Sequence, residues 1–326
     1  MQKINLRSFL IAVLIILIMM VLSLAYLFYL VSKPPGSNAY HTKYYKHLTS
    51  IYGTGHADSK QLLRPVDVAF NSAGNVYVTD TGHSCVLVFD QAGRCLQKIG
   101  LRGRSEGELL EPIGVTVAED GRVFVSDKAL NKIVVFSDKG LFEKEIPVSG
   151  PLKPLVANRK LFLLTHDHII VFDLDGKPLY SWGQKGNGSE DFDSPTGIAV
   201  GKDGNIYVSD TLNLRIKSYS KDGTLRWIAG KPASDIKAVD RKFGLPSGIT
   251  LDNNDRLYLV DAFSSTIEVF GTDGKHVMSL GKKGARDGEL NLPAGISFDQ
   301  DGVFAIADKF NNRVQLVQIT PDKQNP

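Results

Sequence analysis

The stretch Pro195–Gly230, PTGIAVGKDGNIYVSDTLNLRIKSYSKDGTLRWIAG, constrains the fold more than any other, because the chain writes it about six times. Gly197–Val200 is a short apolar run, and Lys202-Asp203-Gly204-Asn205 is a hairpin turn of the Asp-Gly type. Ile206–Ser209 follows as a second strand ending in Asp210, and Asn213 and Arg215 lead into a third, Ile216–Tyr219. After the turn Lys221-Asp222-Gly223, Leu225–Ala229 is the fourth. Short, evenly spaced strands separated by turn residues predict an antiparallel meander with no helix. One such sheet leaves two faces uncovered, so copies are expected to stack face to face.

The copies align. An opening proline recurs at Pro65, Pro112, Pro154, Pro195, Pro246 and Pro293, spaced by 41 to 51 residues, the range of propeller blades. The second strand and its terminal acid recur as VYVTD, VFVSD, IYVSD, LYLVD and FAIAD, ending at Asp80, Asp127, Asp210, Asp261 and Asp308. The third copy, LFLLT, ends in Thr165 instead. The pattern P-x-G-I-A-V, a turn, then Y-V-x-D-T-x-N-x-R-I at Pro195–Ile216 resembles that of the NHL-repeat family of six-bladed β-propellers, and the likeness runs from about Leu48 to Ile319. The resemblance implies the fold. It implies no activity, because propellers host many functions.

The last copy supplies only three strands: Gly295–Phe298, Val303–Ala307 and Arg313–Ile319. Leu48–Leu62 reads as a fourth strand and exit loop detached from a blade, so an N-terminal strand is expected to complete the C-terminal blade as a clasp that removes an open edge. The expected fold class is therefore all-β, a six-bladed propeller over residues 48–320 with a C-terminal tail at 321–326.

Phe9–Val31 carries no charge, and as a helix it would span roughly 34 Å, enough for a ~30 Å hydrocarbon core. Lys3 and Arg7 in residues 1–8 favour a cytoplasmic N-terminus. The run is longer than a signal-peptide apolar region, so an uncleaved single-pass transmembrane anchor is expected, with cleavage near Ser23-Leu24-Ala25 the competing reading. Residues 32–47 read as a tether in which Tyr40, His41, Tyr44, Tyr45 and His47, with Lys43 and Lys46, form an interfacial belt or a partner-docking segment. The propeller would then face the periplasmic or extracellular side.

The chain has two cysteines, Cys85 and Cys95. With Asp90–Gly93 as the hairpin loop they fall about 10 Å apart on neighbouring strands, too far for a disulfide, so free, half-buried thiols are expected.

The recurrent acids read as structural, because an Asp at a strand end fixes a turn by accepting backbone N–H bonds. Asn131, Asn213, Asn311, Arg215 and Arg313 are expected to tie neighbouring blades by the same logic. Residues that break the repeat are the better site candidates. His83 stands in blade one where Asn is expected, and His166 and His168 sit in the equivalent turn of blade three. Three imidazoles near the channel mouth could hold zinc with an open position, or they are loop residues in water. Asp67 stands where other blades have Gly114, Gly197, Gly248 and Gly295, and reads as a cation or polar-ligand site beside the axis, or as a solvated rim residue. The long connections Arg102–Glu111, Gln184–Ser194, Gly230–Leu245 and Lys282–Leu292 are expected to crowd one face, the candidate binding surface.

The peptidyl-hydroxyglycine amidating lyase, a similar propeller with channel metals, places a zinc histidine four residues after the strand-ending Asp. Here those positions are Ser84, Asn131, Leu214, Ser265 and Asn312, so that activity is not carried over. Lactonase-like propellers use a channel calcium, but only their fold is shared. No Gly-rich phosphate loop, Gly-x-Ser-x-Gly elbow or Cys-x-x-Cys pair is present. Lys plus Arg number 38 against 35 acids, which together with an outward-facing domain argues against RNA as a partner. The expected function is a non-catalytic, membrane-anchored platform for a protein, peptide or glycan, with no cofactor expected and calcium or zinc left open. A metal-dependent hydrolase or lyase working through Asp67 and the loop histidines is the alternative, and a structural subunit of a larger membrane complex is the third reading.

Overall fold

The protein is described by a computed structural model covering residues 44–55, 61–230 and 243–320. The expected transmembrane helix, the residues before it, most of the tether, the charged stretch 231–242 and the tail lie outside the described residues. Among the described residues no helix is long and apolar enough to cross a membrane.

The described residues form six four-stranded antiparallel sheets. Blade one runs Pro65–Phe70, Val76–Asp80, Cys85–Phe89 and Cys95–Ile99, and blade four runs Gly197–Val200, Ile206–Asp210, Arg215–Tyr219 and Leu225–Gly230. Each second and third strand is buried along almost its whole length, because neighbouring blades cover both of its faces. Continuous apolar runs such as VLVF in blade one follow from that double burial. The apolar residues gather into six clusters, one per blade-to-blade interface. Glycine opens several inner strands because the blades converge there: a Cβ at Gly197 would lie 2.3 Å from the Ser247 carbonyl oxygen of the next blade.

The clasp is present, and it begins earlier than the sequence suggested. Tyr45–Ile51 is the outermost strand of blade six, antiparallel to Arg313–Ile319, with Tyr45 opposite Ile319 and Ile51 opposite Val314. Tyr45 and His47, read above as tether, therefore belong to the ring. Tyr45 packs into the core between blades five and six, and Ile51 into the core between blades six and one. A register shift between His47 and Thr49 breaks the alternation of buried and exposed positions, which hid the strand's first half from a periodicity reading.

Three of the long connections share one conformation. Leu101–Arg102 pairs in parallel with Glu108–Leu109, and Lys185 with Phe192 and Lys283 with Leu290 form the equivalent bridges. Each folds back so that Leu109, Phe192 or Leu290 is buried between two blades. These loops thus close the ends of interblade cores as well as crossing the face.

Both cysteines are free, as expected, but they are not half-buried: Cys85 is buried and Cys95 exposed. A bulge between Val88 and Phe89 puts Cys95 opposite Phe89, further from Cys85 than a regular ladder would. Burial first, then the Asp80 charge, pushes the Cys85 thiol up to about 12, leaving it an inert core residue.

Candidate functional site

The strand-ending acids act on the segment that enters each blade. Asp80 accepts from the Leu63 N–H (2.9 Å), Asp210 from Asp193 (2.8 Å), Asp308 from Asn291 (2.7 Å), and Asp127 from Leu110 and Glu111. Donors within the following turn add to this at Leu130 and Ser264. In blade four the buried Arg215 donates to Asp210 (2.8 Å) and to the carbonyls of Asn187, Gly188 and Asp191 in the connection from blade three. Arg313 repeats this in blade six with Asp308 and the carbonyls of Arg286 and Glu289. Asn213 and Asn311 donate to Gly186 and Gly284 and to the same acids. Asn131 differs: it sits one position later in the repeat, in the left-handed region, and its Oδ1 accepts from Gly150 N–H.

Lys217 lies beside Arg215 in blade four, fully buried, 3.5 Å from the centroid of the Phe192 ring. Its Nζ donates to the carbonyls of Ser189 (3.1 Å) and Asp191 (2.5 Å). Burial depresses its pKa to about 7, with Asp210 opposing and Arg215 assisting. The unfolded chain, with an ordinary lysine, binds more protons between that value and the usual lysine range. Stability therefore rises with pH from about 7 towards about 10. Urea unfolding at pH 6.5 and 9.5 should show the native protein gaining on Lys217→Met over that interval; a constant difference between the two would remove this assignment.

At the hub, on the side of the entering segments, is a pit of about 320 Å³. Entry segments or inner strands of all six blades line it, among them Arg64, Asp67, Glu111, Lys153, Thr196, Ser247 and Ala294. The turns after the second strands add Thr81, Lys128 and Lys309. Asp67 is at the floor and neither solvated nor open. Only 3% exposed, its carboxylate accepts from Val115 N–H (2.9 Å) on blade two and pairs with the Lys153 ammonium of blade three. A cation already stands where the sequence suggested a cation would bind. Lys153 also faces the apolar channel beyond, lined by Val115, Ile198, Ile249 and Ile296. Asp67→Ala should cost about 3 kcal/mol by leaving a buried ammonium unpaired, and adding Lys153→Met should recover most of it. Thermal unfolding of the three variants checks this; equal losses in the single and double variants would refute it.

The histidines do not converge. None lines the pit. The Nδ1 of His83 meets its own blade's Asp80 at 2.8 Å, that of His168 meets Asp167 at 2.5 Å, and His166 packs over Gly150. Among the described residues no three His, Cys, Asp or Glu side chains are placed to hold a metal ion. With Asp67 taken by Lys153 and three further cations around the pit, the donor set does not fit calcium or zinc.

The residues that shape the pit went unnoticed in the sequence, although their columns carry a signal. The position before the opening proline is charged in the first three copies, as Arg64, Glu111 and Lys153. The position after the strand-ending acid is lysine in blades two and six, as Lys128 and Lys309, against Thr81, Thr211 and Ala262 elsewhere.

Five four-stranded meanders and a sixth sheet completed by the N-terminal strand, set around a central pit, define the six-bladed β-propeller class. The NHL repeat family model matches residues 62–89 and 192–219, which are the first half and more of blades one and four. The chain thus carries NHL repeats in blades one and four of a six-bladed propeller. It is 32% identical over 85 residues to NHL repeat-containing protein 3 of Homo sapiens, covering 25% of this chain and 23% of that protein. With the E3 ubiquitin-protein ligase NHLRC1 of Rattus norvegicus it shares 24% identity over 114 residues, 34% of this chain and 26% of the ligase. The chain thus spans about a quarter of the length of these relatives. Among solved structures, a streptogramin B lyase superposes with a TM-score of 0.61 at 17% identity, over 87% of this chain and 100% of that one. XC5397 of Xanthomonas campestris, a gluconolactonase, superposes with a TM-score of 0.60 at 16% identity, over 84% and 98%. At such identities the likeness is one of fold.

Proposed function

We propose that this protein is a membrane-anchored recognition module whose propeller binds a protein, peptide or glycan through the pit face on the non-cytoplasmic side. The observation that carries the reading is the pit itself: a concave site at the hub, lined from all six blades and therefore held rigid by the whole ring. The relatives include an E3 ubiquitin-protein ligase, a protein that acts on other proteins, and the solved neighbours include a lyase and a lactonase. A ring of charged side chains around an ion-paired floor favours binding over the metal-dependent hydrolysis or lysis that the fold also accommodates. The uncharged run Phe9–Val31 supplies the anchor in this reading.

A photo-crosslinking residue at Ile113 or Thr196 in the full-length, membrane-borne protein is expected to capture a discrete partner. The same residue at Asp203, in a hairpin turn at the other end of its blade, is expected to capture none. Equal capture from both positions, or turnover of ester, lactone or amidated substrates by the purified protein, overturns the reading. Topology is checked separately by a reporter fused after Pro326, expected to be active only outside the cytoplasm; cytoplasmic activity overturns the anchored orientation.

A further inference from the structure

Three cationic side chains converge on the pit without an anion of their own. Arg64 reaches it from the entry to blade one, Lys128 from the second-to-third-strand turn of blade two, and Lys309 from the same turn of blade six. None is in an ion pair with a described carboxylate. The fourth cation, Lys153, is already neutralised by Asp67 at the floor. Among the described residues Glu111 is the one further carboxylate lining the pit, so these side chains give the rim an excess of two positive charges. In a protein whose cations and acids nearly balance, this excess is local.

The backbone segments that carry the cations are tied to neighbouring turns. Arg64 has a left-handed backbone with φ of 53°, and its N–H donates to the Asn312 side chain (2.9 Å) in the same blade-six turn that carries Lys309. Two of the three cations are therefore tied together through one turn. Burial, together with the nearby Arg64 and Lys128 charges, lowers the pKa of Lys309 against the opposing pull of Glu111. Crowded, partly desolvated cations gain most when an anion is placed between them.

We infer that the pit binds an oxyanion, a carboxylate or phosphate group, in a ligand of roughly monosaccharide or dipeptide size. The Arg64 guanidinium would grip two of its oxygens, with Lys128 and Lys309 as point charges on either side. A volume of about 320 Å³ sits at the small end for ligand sites, and Val66, Ile113 and Leu152 give the ligand's body an apolar wall. Thr196 and Ser247 add hydroxyls on the far side. The inference rests on the pit being the recognition site and names the chemistry it selects.

The test is calorimetric titration of the full chain in detergent at low salt, with inorganic phosphate, glucuronate, glucose 6-phosphate and neutral glucose as probes. Binding of at least one oxyanion at one site per chain is expected, with glucose at least tenfold weaker. Stronger binding of glucuronate identifies a carboxylate ligand, and stronger binding of phosphate or glucose 6-phosphate a phosphate ligand. Arg64→Gln and Lys309→Gln should each weaken binding about tenfold, the loss of one charge-assisted hydrogen bond. Both side chains reach solvent, so the variants should keep the native melting transition, which is measured alongside. Absence of binding by every oxyanion, equal affinity for glucose, or unchanged affinity in the folded variants overturns the inference. The crosslinking result is independent: a partner captured at Ile113 that oxyanions neither bind beside nor displace would leave the recognition module standing and remove the oxyanion site.

Discussion

Arg215→Ala is expected to lower the stability of the propeller by about 3–5 kcal/mol, the usual loss on breaking a buried ion pair from one side. Arg215 is 1% exposed, and its guanidinium satisfies Asp210 and three backbone carbonyls of the connection from blade three. Truncation leaves the Asp210 carboxylate, itself fully buried, with backbone and Asn213 donors and only the Lys217 ammonium, 3.9 Å away, as a counter-charge. It also strips the part-buried Asn187 and Gly188 carbonyls of the Arg215 donor and leaves the Asp191 carbonyl with Lys217 alone. Lysine cannot replace the fork, so Arg215→Lys should recover little. The exposed pair Lys275–Asp273 provides the contrast, since its side chains are 85% and 52% exposed. There Lys275→Ala should leave stability essentially unchanged. Urea unfolding of the three variants decides it; Arg215→Ala unfolding at the same urea midpoint as Lys275→Ala would show that the connection is held by packing alone.

The second large effect concerns closure. Removing residues 44–51 should abolish the monomeric propeller. Two buried side chains, Tyr45 and Ile51, are lost from two different interblade cores, at about 1.5–3 kcal/mol each. Several ladder hydrogen bonds to Arg313–Ile319 go with them, at about 1 kcal/mol each. The sum is of the order of the whole stability of a typical domain, about 5–15 kcal/mol. The bared seven-residue strand would be an open edge, a template for pairing with a second molecule. Size-exclusion chromatography and thermal melting of the truncated chain are expected to show association and no cooperative transition near that of the intact protein. Ile51→Asp is the milder variant: it keeps the strand but buries a charge in the core between blades six and one, and it should remain monomeric while melting earlier. A truncated chain that stays monomeric with an unchanged transition would make the clasp dispensable.

The hairpin turns of blade four, the strand-ending acids and the missing fourth strand of the last blade were all legible in the linear chain, because each depends on residues close together in sequence. Asp-Gly turns set the hairpins locally, and runs such as IYVSD are short enough to read as strands without knowing their neighbours. The first half of the clasp was not legible, because its bulge breaks the alternation that would have marked Tyr45–His47 as a strand. Nor was the role of the acids complete: the turn amides were foreseen, but the chain segment about 17 residues upstream, which Asp80, Asp210 and Asp308 also hold, was not.

The candidate site shows the limit more sharply. Asp67 stood out in the sequence because it replaces the glycine of four other blades, yet its meaning came from Lys153, 86 residues away and two blades round the ring. His83, His166 and His168 looked alike in the repeat and ended with separate local partners, since equivalent positions in blades one and three are kept apart by blade two. Arg64, Lys128 and Lys309 looked unremarkable one at a time and face one pit together. The repeat determined the blade by itself, because a blade is made of neighbouring residues. Only the closed ring decided what faces the axis, because that surface takes one or two residues from each blade and no local rule relates them.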